Sequence, residues 1–549
     1  MPQLSHQRAL ILGLDGADWD VVRPLAASGR LPNLAAWLRQ GTAAPLPSTT
    51  PPMSFPAWSS FATGLEPGGH GLFDFTQKLP GRYRLRFANA ADRAGETLWR
   101  RVARAGRSVL VLGVPASFPT EAGCAGLVVP GFDAPVSSGS DARAASDPVL
   151  YQRVAEHAGP WMRPAIDEGA RAPGWHERAL AALLEQIDRK TGFALEALRQ
   201  LREAGRDPAL MVAVFSESDT VAHHYWRDHD PRSPRHDPHA SALRRGAVAA
   251  VYERLDAAAG ALRAAFGDGA ATVALSDHGQ GGASRRVVHL NRRLVECGLL
   301  RRRAAGARDV AARRARELAL RALPPRAQQA LFRRLRGSAA RLESEARFGG
   351  FAWARTAAFS EEANTQPGVW INLRGREAAG SVERADYERV RREVIDALLD
   401  WKLEGGAPVV ARALPREALY AGPFVARAPD VVVELALEKG YAHSLVPTPW
   451  GDTGAPAVRT LGVGELAGGR GRGMNGAHRP DGIWLAVGGL AAERAALPAS
   501  IQGVAAVVLR ALGVEPAAGA PEAPPAAAPY SDAAEARVAA RLRALGYLE

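Results

Sequence analysis

The chain has 549 residues, of which 47% are hydrophobic and 23% are charged, so it is long enough to form a large core that carries insertions. Its formal net charge of +12 at pH 7 is compatible with anionic partners such as nucleotides, nucleic acid or acidic lipid head groups, but arginine used as a generic surface residue is the favoured interpretation. No apolar run approaches the ~20 residues of a membrane-spanning helix, and the two distant cysteines, Cys124 and Cys297, form neither a disulfide framework nor a CxxC metal motif, so we expect a cytoplasmic protein.

Strand-like and helix-like segments alternate from the start of the chain. The apolar run at Ala9–Leu14 predicts a buried strand, and residues 18–40 predict a helix that is broken near Gly29. A loop is predicted at residues 45–52, and a short helix at residues 55–63 should stop at Gly64. Further buried strands are predicted at residues 109–113, 211–215, 272–275, 368–373, 430–434 and 483–487, and further helices at residues 149–205, 248–266 and 501–512.

This alternation predicts an α/β fold with a mostly parallel central sheet and helices on both faces. Residues 300–350 contain fourteen arginines and four acidic residues, and they predict a helical insertion. Because helices with one apolar face usually pack that face on their own domain, we favour a cover for the core over a surface for nucleic acid or an anionic membrane. A cap region is expected over about residues 351–470, and a Pro/Ala linker with a C-terminal helix over residues 516–549.

Two residues in the first part of the chain have side chains suited to phosphate chemistry. Asp15 ends the first strand, where its carboxylate can ligate a metal, although an aspartate at a strand end often only caps the next helix. Gly16 allows the backbone to turn closely after it. Ser54 precedes Phe55-Pro56 and is predicted to cap a helix, whose N-terminal N–H groups and dipole attract phosphate. A serine at that place can be a nucleophile if a metal lowers its pKa, although a plain N-cap is the alternative.

Two pairs of side chains offer metal ligands. Asp219 and His223 are four residues apart, so that on a helix they face the same side. Asp277 and His278 follow a predicted strand, at a point where Gly279 and two more glycines should form a sharp turn. The other histidines that follow Asp219 are predicted to lie at the surface of a loop; they are His224, His229, His236 and His239.

His478 completes the candidate set from a Gly-rich stretch that is predicted as a loop before a late strand. Three aspartates and three histidines suit two zinc-like or manganese ions. Two ions ~4 Å apart can polarise both the attacking and the leaving oxygen of an in-line displacement at phosphorus. We therefore predict a two-metal phosphate-cleaving centre that comprises Asp15, Ser54, Asp219, His223, Asp277, His278 and His478.

These residues resemble the motifs of the alkaline phosphatase superfamily, and in particular those of its type I phosphodiesterase/nucleotide pyrophosphatase branch. The matching motifs occur in the order of that family. They are Leu14-Asp15-Gly16, residues 50–58 (Thr-Pro-Pro-Met-Ser-Phe-Pro-Ala-Trp), Thr63-Gly64, His70-Gly71, Asp219-x-x-x-His223, Ser276-Asp277-His278-Gly279 and Gly476-x-His478.

The resemblance implies an alkaline phosphatase-like catalytic domain over residues 1–515 with two divalent ions, commonly zinc and in some relatives manganese. Ser54 would stand in for the threonine nucleophile of this branch, hold a metal and form a covalent phospho-enzyme. One ion would be held by Asp219, His223 and His478, and the other by Asp15, Asp277 and His278.

Two positions depart from relatives of this branch. Ala57 stands where nucleotide pyrophosphatases often carry an asparagine that contacts the phosphoryl group, so that a transition-state donor must come from elsewhere. Trp58 stands where formylglycine sulfatases carry arginine, which argues against a sulfatase. The sequence thus predicts a metal-dependent phosphodiesterase that acts on a small phosphorylated substrate. The alternatives are a phosphomonoesterase or a phosphotransferase of the same superfamily, or a non-catalytic anion-binding protein.

Overall fold

Helices and strands alternate along most of the described chain. The structure is a computed structural model that describes residues 8–134, 142–161, 174–303, 347–348, 350–362, 367–448, 455–466, 474–489, 497–515, 534–535 and 537–539. The strands, in chain order, are β1 (Ala9–Leu14), β2 (Thr42–Pro47), β3 (Thr76–Lys78), β4 (Leu85–Phe87), β5 (Val109–Val114), β6 (Gly126–Pro130), β7 (Leu210–Phe215), β8 (Ala271–Leu275), β9 (Gly279–Val288), β10 (Ala358–Phe359), β11 (Gly368–Ile371), β12 (Val410–Pro415), β13 (Val431–Leu435), β14 (Leu437–Glu438), β15 (Tyr441–Leu445), β16 (Val458–Thr460), β17 (Gly476–Arg479) and β18 (Asp481–Val487). The α-helices are α1 (Trp19–Ala27), α2 (Pro32–Gln40), α3 (Ser54–Thr63), α4 (Pro67–His70), α5 (Leu98–Arg104), α6 (Pro148–Ala158), α7 (Trp175–Glu203), α8 (Glu217–His229), α9 (Ala242–Phe266), α10 (Leu290–Glu296), α11 (Tyr387–Leu399) and α12 (Val504–Ala511).

Seven strands of the described chain form one sheet, in the order β2-β18-β8-β1-β7-β5-β6. The strand β1 pairs in parallel with β7 and β8, and β5 pairs in parallel with β6 and β7. The late strand β18 is antiparallel to both of its neighbours, β2 and β8. Every residue of β1, β5 and β7 is buried, as expected for parallel strands that are covered on both faces. The predicted α/β fold with a mostly parallel sheet is confirmed.

Helices cover both faces of this sheet, and each face has its own hydrophobic core. Leu10, Leu12 and Leu14 of β1 pack in a core with α1, α2, α6, α7, α8 and α9. Ala9 and Ile11 of the same strand pack in the other core, with α3, α5 and α12. Because successive side chains of a strand point to opposite faces, one continuous apolar run supplies both cores. In the part of the chain that the structure describes, no helix combines the length and the apolar character needed to cross a membrane.

A second group of strands extends from the central sheet through β9. This strand follows β8 after three residues and pairs with β15, β16 and β17. A further sheet has the order β10-β11-β13-β12, and it shares a core with α10 and α11. Most of the arginine-rich segment lies outside the described residues, at 304–346 and 349, and so do its predicted helices. Phe348 and Phe351, at its far end, are buried in the same core.

The C-terminal region contacts the helix that begins at Ser54. The predicted Pro/Ala linker lies outside the described residues. Residues 534–535 and 537–539 of the predicted last helix are helical. Val538 and Ala539 are buried in one apolar cluster with Met53 and Phe55. This short piece of the C-terminal region therefore shares an apolar cluster with the two residues that flank Ser54 in the sequence.

Three local predictions differ from the structure. Part of the predicted loop at residues 45–52 belongs to β2, whose Pro45 and Pro47 are tolerated because an edge strand pairs on one side only. The helix α9 begins at Ala242, six residues before the predicted start. The strands β6 and β12 are among several that were not predicted, because their runs of strand-forming residues are brief and their pairing depends on distant neighbours.

A buried ion pair joins α7 to the start of α8. Lys190 Nζ lies 2.8 Å from Glu217 Oε1, and the two side chains are only 5% and 3% exposed. The Lys190 ammonium also lies over the rings of Trp161 and Phe215. Removing two charges from water is costly, so each partner depends on the other. The pair therefore fixes the first turn of α8, the helix that carries two of the predicted metal ligands.

We expect Lys190→Met to lower the free energy of unfolding by about 3–5 kcal/mol, because the Glu217 carboxylate would stay buried without its cation. The double variant K190M/E217Q should lose less, since neither charge remains. Arg199 is the matched control on the same helix: it pairs with Glu196 at 2.6 Å but is 50% exposed. Arg199→Met should cost much less than Lys190→Met, because water and salt screen an exposed pair. Urea unfolding of the metal-free proteins measures all three, and equal losses for K190M and R199M would contradict the argument.

Candidate metal centre

Three neighbouring strands of the central sheet end at the same edge. Asp15 directly follows β1, and Asp277 and His278 follow β8 after one residue. The helix α8 begins one residue after the end of β7 and carries Asp219 and His223. Because β8, β1 and β7 are adjacent and parallel, their carboxyl ends bring these five side chains to one place. The predicted helical spacing of Asp219 and His223 is confirmed.

The remaining two candidate residues lie on other elements, and the local structure at each differs from the prediction. His478 lies on β17, opposite Gln280 of β9, rather than in a loop. Ser54 is the first residue of α3, while Met53 is the N-cap and makes no side-chain capping bond. The Ser54 hydroxyl is therefore not a helix cap, and it points instead to the cluster. The structure thus brings all seven predicted side chains together.

The first group of ligand atoms comprises Asp219, His223 and His478, which lie within 4.8 Å of one another. The Nε2 atom of His223 is 3.1 Å from Asp219 Oδ1, and the Nε2 atom of His478 is 3.5 Å from the same oxygen. The two Nε2 atoms are 3.1 Å apart. Three atoms that can each donate an electron pair thus face a common point.

Hydrogen bonds to the backbone determine which ring nitrogen of His223 and of His478 directs a lone pair at the first group of ligand atoms. Nδ1 of His223 lies 3.2 Å from the carbonyl oxygen of Gly476, and Nδ1 of His478 lies 2.9 Å from that of Pro52. A carbonyl only accepts, so each Nδ1 carries the hydrogen and donates it. In the neutral rings both Nε2 atoms then present lone pairs at 3.1 Å, an arrangement that a cation between them would stabilise.

The second group lies around His278. Its Nε2 atom is 3.4 Å from Asp277 Oδ2 and 3.6 Å from Asp15 Oδ1. Asp15, His278 and Asp219 also lie within 4.8 Å of one another, so Asp219 is close to both groups. Ser54 Oγ lies 3.5 Å from Asp15 Oδ1 and 3.5 Å from His278 Nε2. The hydroxyl is therefore directed at the second group.

Burial and mutual repulsion shape the charges of these side chains. Burial and then the nearby Asp277 and Asp219 raise the pKa of Asp15 well above its usual value. Burial raises the pKa of Asp277 to about 6, and burial with the nearby His478 holds the pKa of His278 well below its usual value. Burial opposes ionisation of Asp219, but His223 and His478 outweigh it and lower its pKa.

Cations would fit this arrangement of side chains. Asp15 Oδ2 and Asp277 Oδ2 are buried and have no hydrogen-bond partner among the described residues. Buried carboxylate oxygens are costly unless they are paired. A dication would satisfy both oxygens and would reverse the repulsion that raises the pKa of each carboxyl group. Aspartate and histidine are ligands that zinc and manganese accept, so the two groups could hold one ion each.

Close packing around the centre favours glycine at two positions. Gly16 has a φ of +64°, and a Cβ there would lie 3.0 Å from Asp219 Oδ1. Gly281 and Gly282 were predicted to form a turn, but both lie within β9. A Cβ on Gly282 would lie 2.7 Å from the ring of Tyr441 on β15, whereas one on Gly281 would meet only the flexible Arg479 side chain. Gly282 therefore allows close approach of neighbouring segments rather than a change of chain direction.

Gln280 belongs to the centre, although the sequence did not indicate it. Its side chain is 2% exposed, and its Nε2 atom donates to Asp219 Oδ1. Its Oε1 atom is buried without a partner among the described residues. Glutamine is neither a typical zinc ligand nor a nucleophile, so only its position two residues after His278 could have drawn attention to it. It orients the carboxylate that both groups share.

The prediction for the neighbouring histidines is correct only in part. His239 is exposed, and His236 is half-buried. His224 is buried on α8, where burial lowers its pKa to about 4, and His229 is half-buried on the same helix. The prediction for His224 was wrong because α8 continues through it, and its ring packs against that of Trp175 at the start of α7.

Comparisons with known proteins bear on the family and the fold of the chain. A model of the family described as type I phosphodiesterase / nucleotide pyrophosphatase matches residues 9–444. A search of curated proteins gave no match. Phosphonoacetate hydrolase from Sinorhizobium meliloti 1021, solved with phosphonoacetate, has a TM-score of 0.54 and 15% identity over 92% of this chain and 96% of that chain. Murine ectonucleotide pyrophosphatase / phosphodiesterase 5 has a TM-score of 0.45 and 12% identity over 94% of this chain and 98% of that chain.

The structural similarity to the hydrolase shows a shared fold, since so low an identity carries no more than that. The family match carries the assignment, because it spans most of the chain and includes all the candidate residues except His478. The chain therefore belongs to the type I phosphodiesterase / nucleotide pyrophosphatase family, a family of hydrolases.

Proposed function

We propose that this protein is a two-metal phosphodiesterase that hydrolyses a small phosphorylated substrate through a phosphoseryl intermediate on Ser54. One observation carries the proposal: the Ser54 hydroxyl lies 3.5 Å from both Asp15 Oδ1 and His278 Nε2, inside a cluster of buried carboxylates and imidazoles. A serine that served only to cap a helix would have no reason to face that cluster.

In this proposal Asp219, His223 and His478 hold one divalent ion, and Asp15, Asp277 and His278 hold the other. Zinc is the ion that suits this mixture of ligands best, with manganese as the alternative. Bound together, the two ions would supply charge stabilisation for the attacking and the leaving oxygens of an in-line displacement. The buried, partnerless oxygens of Asp15 and Asp277 support this assignment.

The reaction has two steps, and Ser54 takes part in both. Its Oγ atom forms a bond to phosphorus while the bond to the leaving alcohol breaks, and the alcohol departs with a proton. Water then attacks phosphorus while the bond to Oγ breaks, so that a phosphate monoester is released and Oγ regains its proton. Ser54 begins the ten-residue helix α3, whose N-terminal end favours the negative charge of the phosphoryl group.

The nucleophile and the side chains around it are shielded from bulk solvent, which supports the proposed reaction. Ser54, His278 and Asp277 are fully buried in the described structure, and Asp15 is 1% exposed. Electrostatic interactions are stronger in such a site than in water.

We also propose the cytoplasm as the compartment, because Cys124 and Cys297 are both unpaired, as is usual in a reducing environment.

We expect Ser54→Ala to lower kcat for bis-p-nitrophenyl phosphate by at least ~10³-fold, because it removes the attacking oxygen. Ser59→Ala is the matched control. Ser59 lies on the same helix, is fully buried, and its hydroxyl has no hydrogen-bond partner among the described residues. This control should keep its activity. Turnover of the diester that survives in S54A would exclude Ser54 as the nucleophile.

The same assay separates diester from monoester hydrolysis. We expect the wild-type protein to prefer bis-p-nitrophenyl phosphate to p-nitrophenyl phosphate, as the family assignment suggests. A clear preference for the monoester would move the assignment to a phosphatase. Transfer of the phosphoryl group to an added alcohol in place of water would indicate a phosphotransferase.

Metal content tests the centre independently of turnover. We expect about two zinc or manganese ions per chain after reconstitution, and loss of activity after treatment with a chelator. His223→Ala and His278→Ala should each lose one ion, since each removes a ligand of a different group. His239→Ala, which alters an exposed histidine, should keep both. Full activity in a metal-free protein, measured with elemental analysis of the same sample, would contradict the proposal.

A further inference from the structure

Arg235 is a buried arginine outside the seven-residue centre. It lies in the connection between α8 and α9, and it is 1% exposed. Its Nε atom donates to the carbonyl oxygen of Ser284 at 2.7 Å, and its two terminal nitrogens donate to the carbonyl oxygen of Met474 at 2.5 Å and to Ser444 Oγ at 3.1 Å. One side chain thus joins three segments that are far apart in the sequence.

The three acceptors lie around β9. Ser284 is on β9, between the residues that pair with β17 and those that pair with β16. Ser444 lies on β15, which pairs with the other edge of β9. Met474 immediately precedes Asn475 and Gly476, where β17 begins. The guanidinium therefore joins β9 and β15 to the residue from which β17 departs.

The residues after Met474 determine the geometry of the first metal group. Asn475 N–H donates to the carbonyl oxygen of His223 at 2.7 Å, and Asn475 Nδ2 donates to that of His224 at 3.2 Å. The carbonyl oxygen of Gly476 accepts from His223 Nδ1 at 3.2 Å. His478 itself follows two residues later. A shift of this short segment would move one ligand and release the bond that orients another.

We propose that Arg235 is a positioning residue for the ion held by Asp219, His223 and His478, and that it acts by fixing residues 474–478. The inference rests on the proposed function, because it assumes that this group holds a metal. It predicts an effect on one ion of the two: the group around Asp15, Asp277 and His278 is built on the ends of β1 and β8, whereas the three acceptors of Arg235 lie on β9, on β15 and just before β17.

Arginine suits this task better than lysine. Its planar guanidinium presents five N–H donors in fixed directions, so that it can hold three acceptors at once, whereas a lysine ammonium is a single point on a flexible stem. A buried charge also carries a large desolvation cost. A residue that only filled space at this position would not need a charge.

The experiment compares Arg235→Met, Arg235→Lys and the control Arg232→Met, whose side chain belongs to the same connection but is 89% exposed. The zinc affinity of each full-length protein is measured by competition with a chelator, together with the melting temperature of the metal-free form. For R235M we expect one of the two zinc ions to bind ~10-fold or more weakly and the other to bind as in wild type. R235K should show a smaller loss, and R232M none.

The outcomes separate the inference from the proposed function. Wild-type protein that binds fewer than two ions overturns the proposed function and this inference with it. Wild-type protein that binds two ions, while R235M binds both with unchanged affinity, overturns only the positioning role. Equal weakening of both ions in R235M also overturns it, since a general loss of structure would act on both groups. If R235M does not fold, R235K decides by the same criteria.

Discussion

The structure depends on the confinement of three carboxylates and three imidazoles at one edge of a buried sheet. Without cations, burial is the main cause that raises the pKa of both Asp15 and Asp277, and the neighbouring Asp219 carboxylate raises both further. Two buried carboxylate oxygens have no partner among the described residues. An arrangement of this kind is unfavourable unless something positive completes it. The central sheet, α8 and β17 hold these side chains in place despite that cost.

Backbone carbonyl groups control the three histidines in the same manner. Nδ1 of His223, His278 and His478 lies within 3.2 Å of the carbonyl oxygen of Gly476, Gly279 and Pro52, respectively. Each bond fixes one tautomer and turns Nε2 toward the centre, as outer hydrogen bonds do in metal sites. Two of these carbonyls belong to glycines in or next to β9 and β17, so the pairing of those strands sets the orientation of the ligands. Residues that hold the strands, such as Arg235, thereby influence the chemistry from a distance.

The family assignment and the geometry answer different questions. The family match identifies the class of hydrolase, while the structure shows what this chain does at positions where it departs from relatives. Ala57 offers no side-chain donor to the phosphoryl group. Gln280 places a buried amide beside Asp219. The structure thus adds a polar group near the shared carboxylate, at a position that the sequence motifs did not include.

The sequence by itself indicated five of the seven strands of the central sheet and named the seven side chains that the structure brings together. Apolar runs such as Ala9–Leu14 are buried wherever they pair, and polar residues that follow them lie at the carboxyl ends of strands. It did not indicate that β18 runs antiparallel between β2 and β8, that Gln280 contacts Asp219, or that His224 is covered. Those features depend on contacts between residues that are tens to hundreds of positions apart. Local patterns determine which segments become strands and helices, whereas the packing of these elements decides which polar groups meet, because hydrogen bonds and charges act only at short range.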